Sequence, residues 1–363
     1  MSALAVLTSG GDAPGMNAAI RAVTKVAASH GLPTWGVEMG FDGLIDGELR
    51  PLIRRNKQGD PAPLHEVESE GGKGGTILST SRGKRFFERE SRVAAAAQLE
   101  KYSITGLVVI GGNGSMAGAH ALAAETDIPI VGIPASIDND IGLTREALGV
   151  DTALNTIVEA CDNISDTARS HHRAFIVEVM GRESGYLAMA SAVATAADAV
   201  LMPEKPHTRE EVIDSVVNCI RTSFDAARDK TRVLIIKAEG VDVPTHEIVD
   251  EATRRCRALG IEYDIRGTVL GHVVRGGDAS FRDRLLAGRF GRVAVEAILE
   301  GHSDVMTGWN IGIELGKPTT DDWIRLFDIA DVIAETEALL DGSSPVSIDR
   351  IARMEAIQGV LAL

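Results

Sequence analysis

Six short runs rich in Val, Ile and Leu, at residues 3–7, 107–110, 130–133, 175–179, 233–236 and 269–274, read as strands buried on both faces. Amphipathic stretches long enough to be helices lie among them, at residues 17–29, 91–102, 151–166, 208–222 and 280–300. A recurring order of strand, loop, helix, strand is met by parallel neighbours joined through right-handed crossovers, which covers both faces of a sheet. The pattern predicts an α/β chain whose ligands meet the C-terminal ends of the strands. A chain of 363 residues exceeds what one core comfortably fills, so two domains are expected, although no Pro/Ser-rich linker marks the boundary. The least regular stretch, residues 43–75, carries Pro51, Pro61 and Pro63 and ends in Gly71, Gly72, Gly74 and Gly75; it reads as a long surface loop. Beyond Glu300 the alternation weakens, with a helix expected over residues 331–340.

Composition narrows the partners. With 37 basic and 52 acidic side chains the net charge is −15, which argues against broad nucleic-acid binding but leaves room for a local basic pocket. Cys161, Cys219 and Cys256 are odd in number and lack CxxC spacing, so they read as reduced thiols and neither as a disulfide frame nor as a zinc site. No run approaches the ~18 apolar residues of a membrane span, and the N-terminus lacks signal-peptide features. A cytoplasmic protein with no membrane partner is expected.

Three strand-to-helix loops carry the chemistry. Ser9-Gly10-Gly11-Asp12-Ala13-Pro14-Gly15 fits neither the dinucleotide fingerprint nor the P-loop pattern, yet its glycines let backbone N–H groups approach an anion at a helix N-terminus. A tight turn would look the same. Gly111-Gly112-Asn113-Gly114-Ser115 repeats the arrangement after a second strand, and one nucleotide could span both loops. In Ser136-Ile137-Asp138-Asn139-Asp140, an extended backbone would put Asp138 and Asp140 on one side, able to bind Mg²⁺ or accept a proton. The competing reading is an Asp-Asn-Asp turn bonded to its own backbone. Arg82, Arg173, Arg182, Arg266 and Arg275 recur near strand ends, where guanidinium forks suit phosphate.

The segments 7–21, 110–115, 132–141, 177–186 and 269–277, in this order and register, resemble the phosphofructokinase family, from about Leu7 to about Asn310. The resemblance implies two doubly wound, mostly parallel-sheet domains with the active site in the cleft between them: residues 1–149 and 275–324 binding nucleotide, residues 150–274 and 325–363 binding sugar phosphate. It implies phosphoryl transfer from ATP to the 1-hydroxyl of fructose 6-phosphate, with Mg²⁺, in glycolysis. Asp138 matches the catalytic base, Ser136 stands at a usual Thr position beside it, Asp140 supports metal or substrate, and Arg182 is a cation near the transferring group. Gly10, Gly11, Phe41, Arg82, Gly112, Gly114 and Ser115 match the nucleotide loops, with Phe41 as a ring for adenine. Met180, Gly181, Glu239, His272 and Arg275 match the sugar-phosphate site, and Arg173 and Arg266 the pair a neighbouring subunit lends. A homotetramer or dimer follows from that sharing.

Gly114 and Ala135 are small and uncharged where pyrophosphate-using relatives place Asp and Lys, which favours ATP. Asn113 stands where the family has a magnesium-holding Asp, and a neutral amide is a poorer partner for a hard dication. Arg21, Lys25, Arg228 and Lys230 resemble a basic effector lining, but Ser165 replaces an Arg expected there. Two alternatives stay open at this point: a kinase of the same fold using pyrophosphate or another sugar phosphate such as sedoheptulose 7-phosphate, and a non-catalytic subunit that binds both ligands.

Overall fold

The computed structural model describes residues 2–204, 207–225, 230–310, 315–349 and 351–352. In chain order these form β1 (Ala3–Ser9), α1 (Met16–Ser29), β2 (Thr34–Val37), α2 (Gly40–Asp46), β3 (Leu49–Pro51), β4 (Ile53–Arg55), β5 (Pro61–Pro63), α3 (His65–Ser69), α4 (Arg89–Lys101) and β6 (Ile104–Gly111). Then follow α5 (Asn113–Ala123), β7 (Ile130–Pro134), α6 (Val150–His171), β8 (Ala174–Val179), α7 (Tyr186–Ala194), β9 (Ala199–Leu201), α8 (Arg209–Ser223) and β10 (Val233–Ala238). The last elements are α9 (Thr245–Ala258), β11 (Ile265–Val269), α10 (Phe281–Leu299), β12 (Val305–Trp309), β13 (Ile324–Asp328) and α11 (Ile329–Leu340).

The chain divides into two compact units, Met1–Thr152 with Arg275–Glu337, and Ala153–Val274 with Ala338–Leu363. In the first, the described residues build a seven-stranded sheet of order β13-β12-β7-β6-β1-β2-β3. Its interior pairs are parallel, and the antiparallel pairs β12–β13 and β2–β3 close the two edges. Every residue of β1 and β7 is buried, which is why these strands are continuous apolar runs and not alternating ones. Residues 325–337, expected with the second unit, stay with the first because β13 pairs with β12 from Val305↔Asp328 to Trp309↔Ile324.

The strand order places the site. From β1 the chain crosses to β2 on one side, whereas β6 lies on the other side of β1 and leads on to β7. The direction of winding reverses between β1 and β6, and a crevice opens there outside the carboxyl ends of the strands.

The second unit has a parallel sheet of order β11-β8-β10-β9, with α8 and α9 contributing Val212, Ile213, Val216, Ile220, Ile248 and Ala252 to its core. Two local expectations change. The run 269–274 is not a strand: β11 ends at Val269, and residues 271–274 form a turn of 3₁₀ helix, because Gly271 takes φ +54° and cannot continue an extended chain. The stretch 43–75 is not a bare loop either. Ile53, Arg54 and Arg55 pair with Pro63, Ala62 and Pro61, the prolines sitting on a two-stranded ribbon where a missing N–H is tolerated.

Candidate active site

In the first unit the loops after β1 and β6 meet at the switch point. Gly10 and Gly15 adopt φ +87° and +102°, and a side chain at Gly11 would come within 2.8 Å of the Arg275 guanidinium, which itself donates to Asp12 O at 2.8 Å. Ser115 Oγ donates to Ser9 O at 3.0 Å, binding the start of α5 to the end of β1. Neither α1 nor α5 has an acidic side chain in its first turn, so the two helix N-termini keep their partial positive charge for an anion. The backbone N–H of Gly10 donates to Ser81 O and Thr80 Oγ1 donates to Gly10 O, both at 2.9 Å, so the segment leading into the exposed Arg82 is anchored to the same loop.

The loop after β7 supplies the carboxylates. Asp138 and Asp140 are buried, 5% and 9% exposed. The segment is not extended: Asn139 takes φ +49°, and its side chain accepts from Ala147 N at 3.1 Å and donates to Arg145 O at 3.2 Å. Asn139 is thus the turn residue, and the carboxylates on either side are held by other groups. Ser136 Oγ donates to Asp140 Oδ1 at 3.2 Å and accepts from Asp138 N at 3.3 Å. Asn113 Nδ2 donates to Asp140 Oδ2 at 2.8 Å, joining the β6 and β7 loops. On its other side, Asn113 Oδ1 is buried with no hydrogen-bond partner among the described residues. Oxygen atoms of this kind suit a hard dication such as Mg²⁺. Among the described residues no cluster of three or more His, Cys, Asp or Glu could hold a metal, so most ligands of such an ion would be phosphate oxygens and water.

In the second unit, the turn after β8 is clamped from β10. Glu239 Oε1 accepts the backbone N–H of Gly181 at 3.1 Å and of Arg182 at 2.7 Å. Gly181 has φ +150°, and a Cβ there would lie 2.4 Å from Ser184 O, so no other residue fits. Met180 is buried, and Arg182 and His272 are exposed. Arg173 and Arg266, far apart in sequence, converge on one carboxylate oxygen, Asp264 Oδ2, at 2.8 and 3.0 Å. Glu239 also lines a cleft of about 660 Å³ with Glu178, Lys237, Asp242, Thr245 and His246. On its floor Lys237, only 1% exposed, pairs with Glu178 Oε2 at 3.1 Å. Sequence reasoning passed over this pair, although a Lys inside the apolar run Val233–Ala238 is the signal that marks it.

A buried carboxylate loop beside two glycine loops at a switch point holds the segments 7–21, 110–115 and 132–141 that carry the resemblance, and comparison with known proteins shows the family. The profile of the family described as phosphofructokinase matches residues 3–298. The chain belongs to the phosphofructokinase family. It is 48% identical over 306 residues to the ATP-dependent 6-phosphofructokinase of Thermotoga neapolitana, covering 84% of this chain and 89% of that one. It is 42% identical over 328 residues to the ATP-dependent 6-phosphofructokinase of Lactobacillus delbrueckii subsp. bulgaricus, covering 90% and 94%. Among solved structures, the phosphofructokinase from Saccharomyces cerevisiae superposes with a TM-score of 0.81 at 30% identity; it covers 98% of this chain, which spans about half (48%) of the yeast chain.

Three of the residues that the motifs imply as ligand contacts also make contacts within the protein. Phe41 is 3% exposed and its ring stacks on Phe86 at 4.1 Å between centroids. The Ser115 hydroxyl donates to Ser9 O and so helps to build the loop. Arg275, expected among the sugar-phosphate contacts, lies on the β1–α1 loop through Asp12. Of the basic effector lining, Lys25 pairs with Glu68 at 3.1 Å and Lys230 with Asp198 at 2.7 Å. Ser165 is buried, and Arg228 lies outside the described residues. No disulfide joins Cys161, Cys219 or Cys256. No helix among the described residues is long and apolar enough to cross a membrane.

Proposed function

We propose that this chain transfers the terminal phosphoryl group of ATP to the 1-hydroxyl of fructose 6-phosphate, giving fructose 1,6-bisphosphate and ADP, as its curated relatives are named for. The observation that carries the reading is the buried Asp138 in a loop tied, through Asp140, Ser136 and Asn113, to the two glycine loops at the β1/β6 switch point. Asp138 takes the proton of the attacking hydroxyl. Backbone N–H groups of Gly11 and Gly112 and the N-termini of α1 and α5 receive the phosphates, with Arg82 beside them. Phosphoryl transfer asks for positioning and charge stabilisation more than for covalent help, and this is what rigid loops on a buried sheet supply.

Asp140 and the Oδ1 atom of Asn113 would hold Mg²⁺, which, when bound, would supply positive charge against the phosphate oxygens. The second unit binds the sugar phosphate through Met180, Gly181, Arg182, Glu239 and His272. Arg173 and Arg266, brought together at Asp264, make a cationic pair fitted to a phosphate, and the resemblance makes it one lent to a neighbouring subunit of a homo-oligomer. An odd number of cysteines without CxxC spacing supports a cytoplasmic setting.

The test is a coupled assay of the purified chain with fructose 6-phosphate over a Mg²⁺ series, using ATP or pyrophosphate as donor. Turnover with ATP and at most traces with pyrophosphate is expected; turnover with pyrophosphate alone, or a strong preference for a seven-carbon sugar phosphate, overturns the assignment.

A further inference from the structure

We propose that Asn113 is a positioning residue for Asp140: its amide holds the Asp140 carboxylate in place before any metal arrives, so that in this chain Mg²⁺ binds to a site already assembled and binds it more weakly. The inference rests on the reading of these loops as the metal and phosphate site.

The orientation of the Asn113 amide follows from its neighbours. Nδ2 faces two acceptors, Asp140 Oδ2 at 2.8 Å and Asp140 O at 3.4 Å. Turning the amide over would set its carbonyl oxygen against a carboxylate oxygen, so Nδ2 is the atom that faces Asp140 and Oδ1 is the one presented away from it. The other Asp140 oxygen, Oδ1, accepts from Ser136 Oγ at 3.2 Å. Both carboxylate oxygens are therefore gripped by neutral donors, one from the loop after β6 and one from the loop after β7. Two such bonds from separate strands fix a short side chain in position and direction.

A carboxylate at position 113 would act in the opposite way. An oxygen in place of Nδ2 would face Asp140 Oδ2 at the same separation, where two ionised carboxylates repel each other and a cation between them relieves the repulsion. The ion would then help to draw the loops together, and it would be bound more tightly for doing so. Asn113 exchanges that dependence on metal for a hydrogen bond. Its buried Oδ1, with no partner among the described residues, leaves one neutral oxygen for the ion.

The test uses the full chain without nucleotide or sugar, so its outcome does not depend on which phosphoryl donor or acceptor the enzyme takes. Wild type should melt within about 1 °C of the same temperature in chelator and in millimolar Mg²⁺. N113D should melt about 2–6 °C lower in chelator and recover with Mg²⁺. Mn²⁺ titrated into each protein and followed by the spin resonance of the free ion should bind N113D about tenfold more tightly. The double variant N113D/D140N exchanges donor and acceptor across the same pair; in chelator it should melt above N113D, and it should lose the Mg²⁺ response. N113A, which removes the donor without adding charge, should lose stability that Mg²⁺ does not restore, and it decides the matter if N113D fails to accumulate. N113D melting with wild type in chelator, N113D/D140N no more stable than N113D, or N113A rescued by Mg²⁺ would each overturn the proposal. A failure of the kinase assignment would show in the turnover assay and leave these melting and titration results unaffected.

Discussion

Glu239 Oε1 accepts the backbone N–H of Arg182 at 2.7 Å, so a carboxylate from β10 sets the backbone from which the Arg182 side chain departs. Arg182 has φ +52°, a left-handed conformation that costs a non-glycine residue about 1–2 kcal/mol and persists only where its surroundings enforce it. Loss of Glu239 releases that constraint. Glu239→Ala should raise KM for fructose 6-phosphate at least tenfold and lower kcat as the guanidinium leaves its place, while KM for ATP stays within about twofold. Glu239→Gln keeps a carbonyl oxygen for the same two N–H groups and should recover part of the loss. Steady-state kinetics with each substrate varied in turn decide it; equal effects on both KM values would mean that the clamp serves the fold in general.

Asp138 should carry the chemistry. Its loop is held by Ser136, Asn139 and Leu148, and replacing Asp138 removes the proton acceptor while leaving these bonds in place. Asp138→Ser should lower kcat by about 10²–10⁴, with sugar-phosphate binding, measured by calorimetry, largely unchanged. A variant with near-normal kcat would take Asp138 out of that role.

Gly114 tests donor choice without a folding penalty. A Cβ there meets nothing within 4 Å, and an acidic side chain in the first turn of α5 suits the helix dipole. Gly114→Asp should therefore melt within about 2 °C of wild type. Its kcat/KM for ATP should fall about a hundredfold, with KM for fructose 6-phosphate little changed. A variant that keeps normal ATP kinetics would show that the nucleotide does not pass over this residue.

Glu146 makes stability depend on pH. Burial, partly offset by the Arg282 guanidinium at 2.7 Å, pushes its carboxyl from 4.5 to about 7. Between about pH 4.5 and 7 the unfolded chain has given up this proton and the native chain has not. The native state binds more protons in that window, so its stability falls as pH rises, and above it the full cost is present. Glu146→Gln should remove this dependence. The difference in melting temperature between variant and wild type should grow by about 2–6 °C from pH 5 to pH 8, in favour of the variant. A constant difference would mean that Glu146 is already ionised at pH 5.

Much of the architecture is written in local order, because each buried strand must be an apolar run and each surface helix must keep an apolar stripe. The strands at Ala3–Ser9, Ile104–Gly111 and Ile130–Pro134, and the glycine loops behind the first two, are visible in this way. The same local reading fails where neighbours distant in sequence decide the outcome. That Phe86 stacks upon the ring at 41 cannot be read from either residue's neighbours. The run 269–274 has the composition of a strand, yet the left-handed Gly271 ends it. Asp138 and Asp140 fit an extended segment or a turn equally well, and it is the bonds from Asn139 to Arg145 and Ala147 that choose the turn.

Residue types and their spacing along the chain were enough to establish an α/β fold with glycine-rich loops after its strands and a carboxylate pair, since these follow from burial, glycine geometry and charge within a few residues. Which loops lie side by side was settled only in three dimensions. That β6 lies next to β1, opposite β2, brings Ser115 to Ser9 across 106 positions. The pairing of β6 with β7 brings Asn113 to Asp140 across 27 positions, and Arg275 reaches Asp12 across 263. Such contacts depend on strand order, which the pattern of apolar and polar residues leaves open: parallel strands buried on both faces look alike in sequence, and only the packing of their helices and the closure of the sheet edges choose among the possible neighbours.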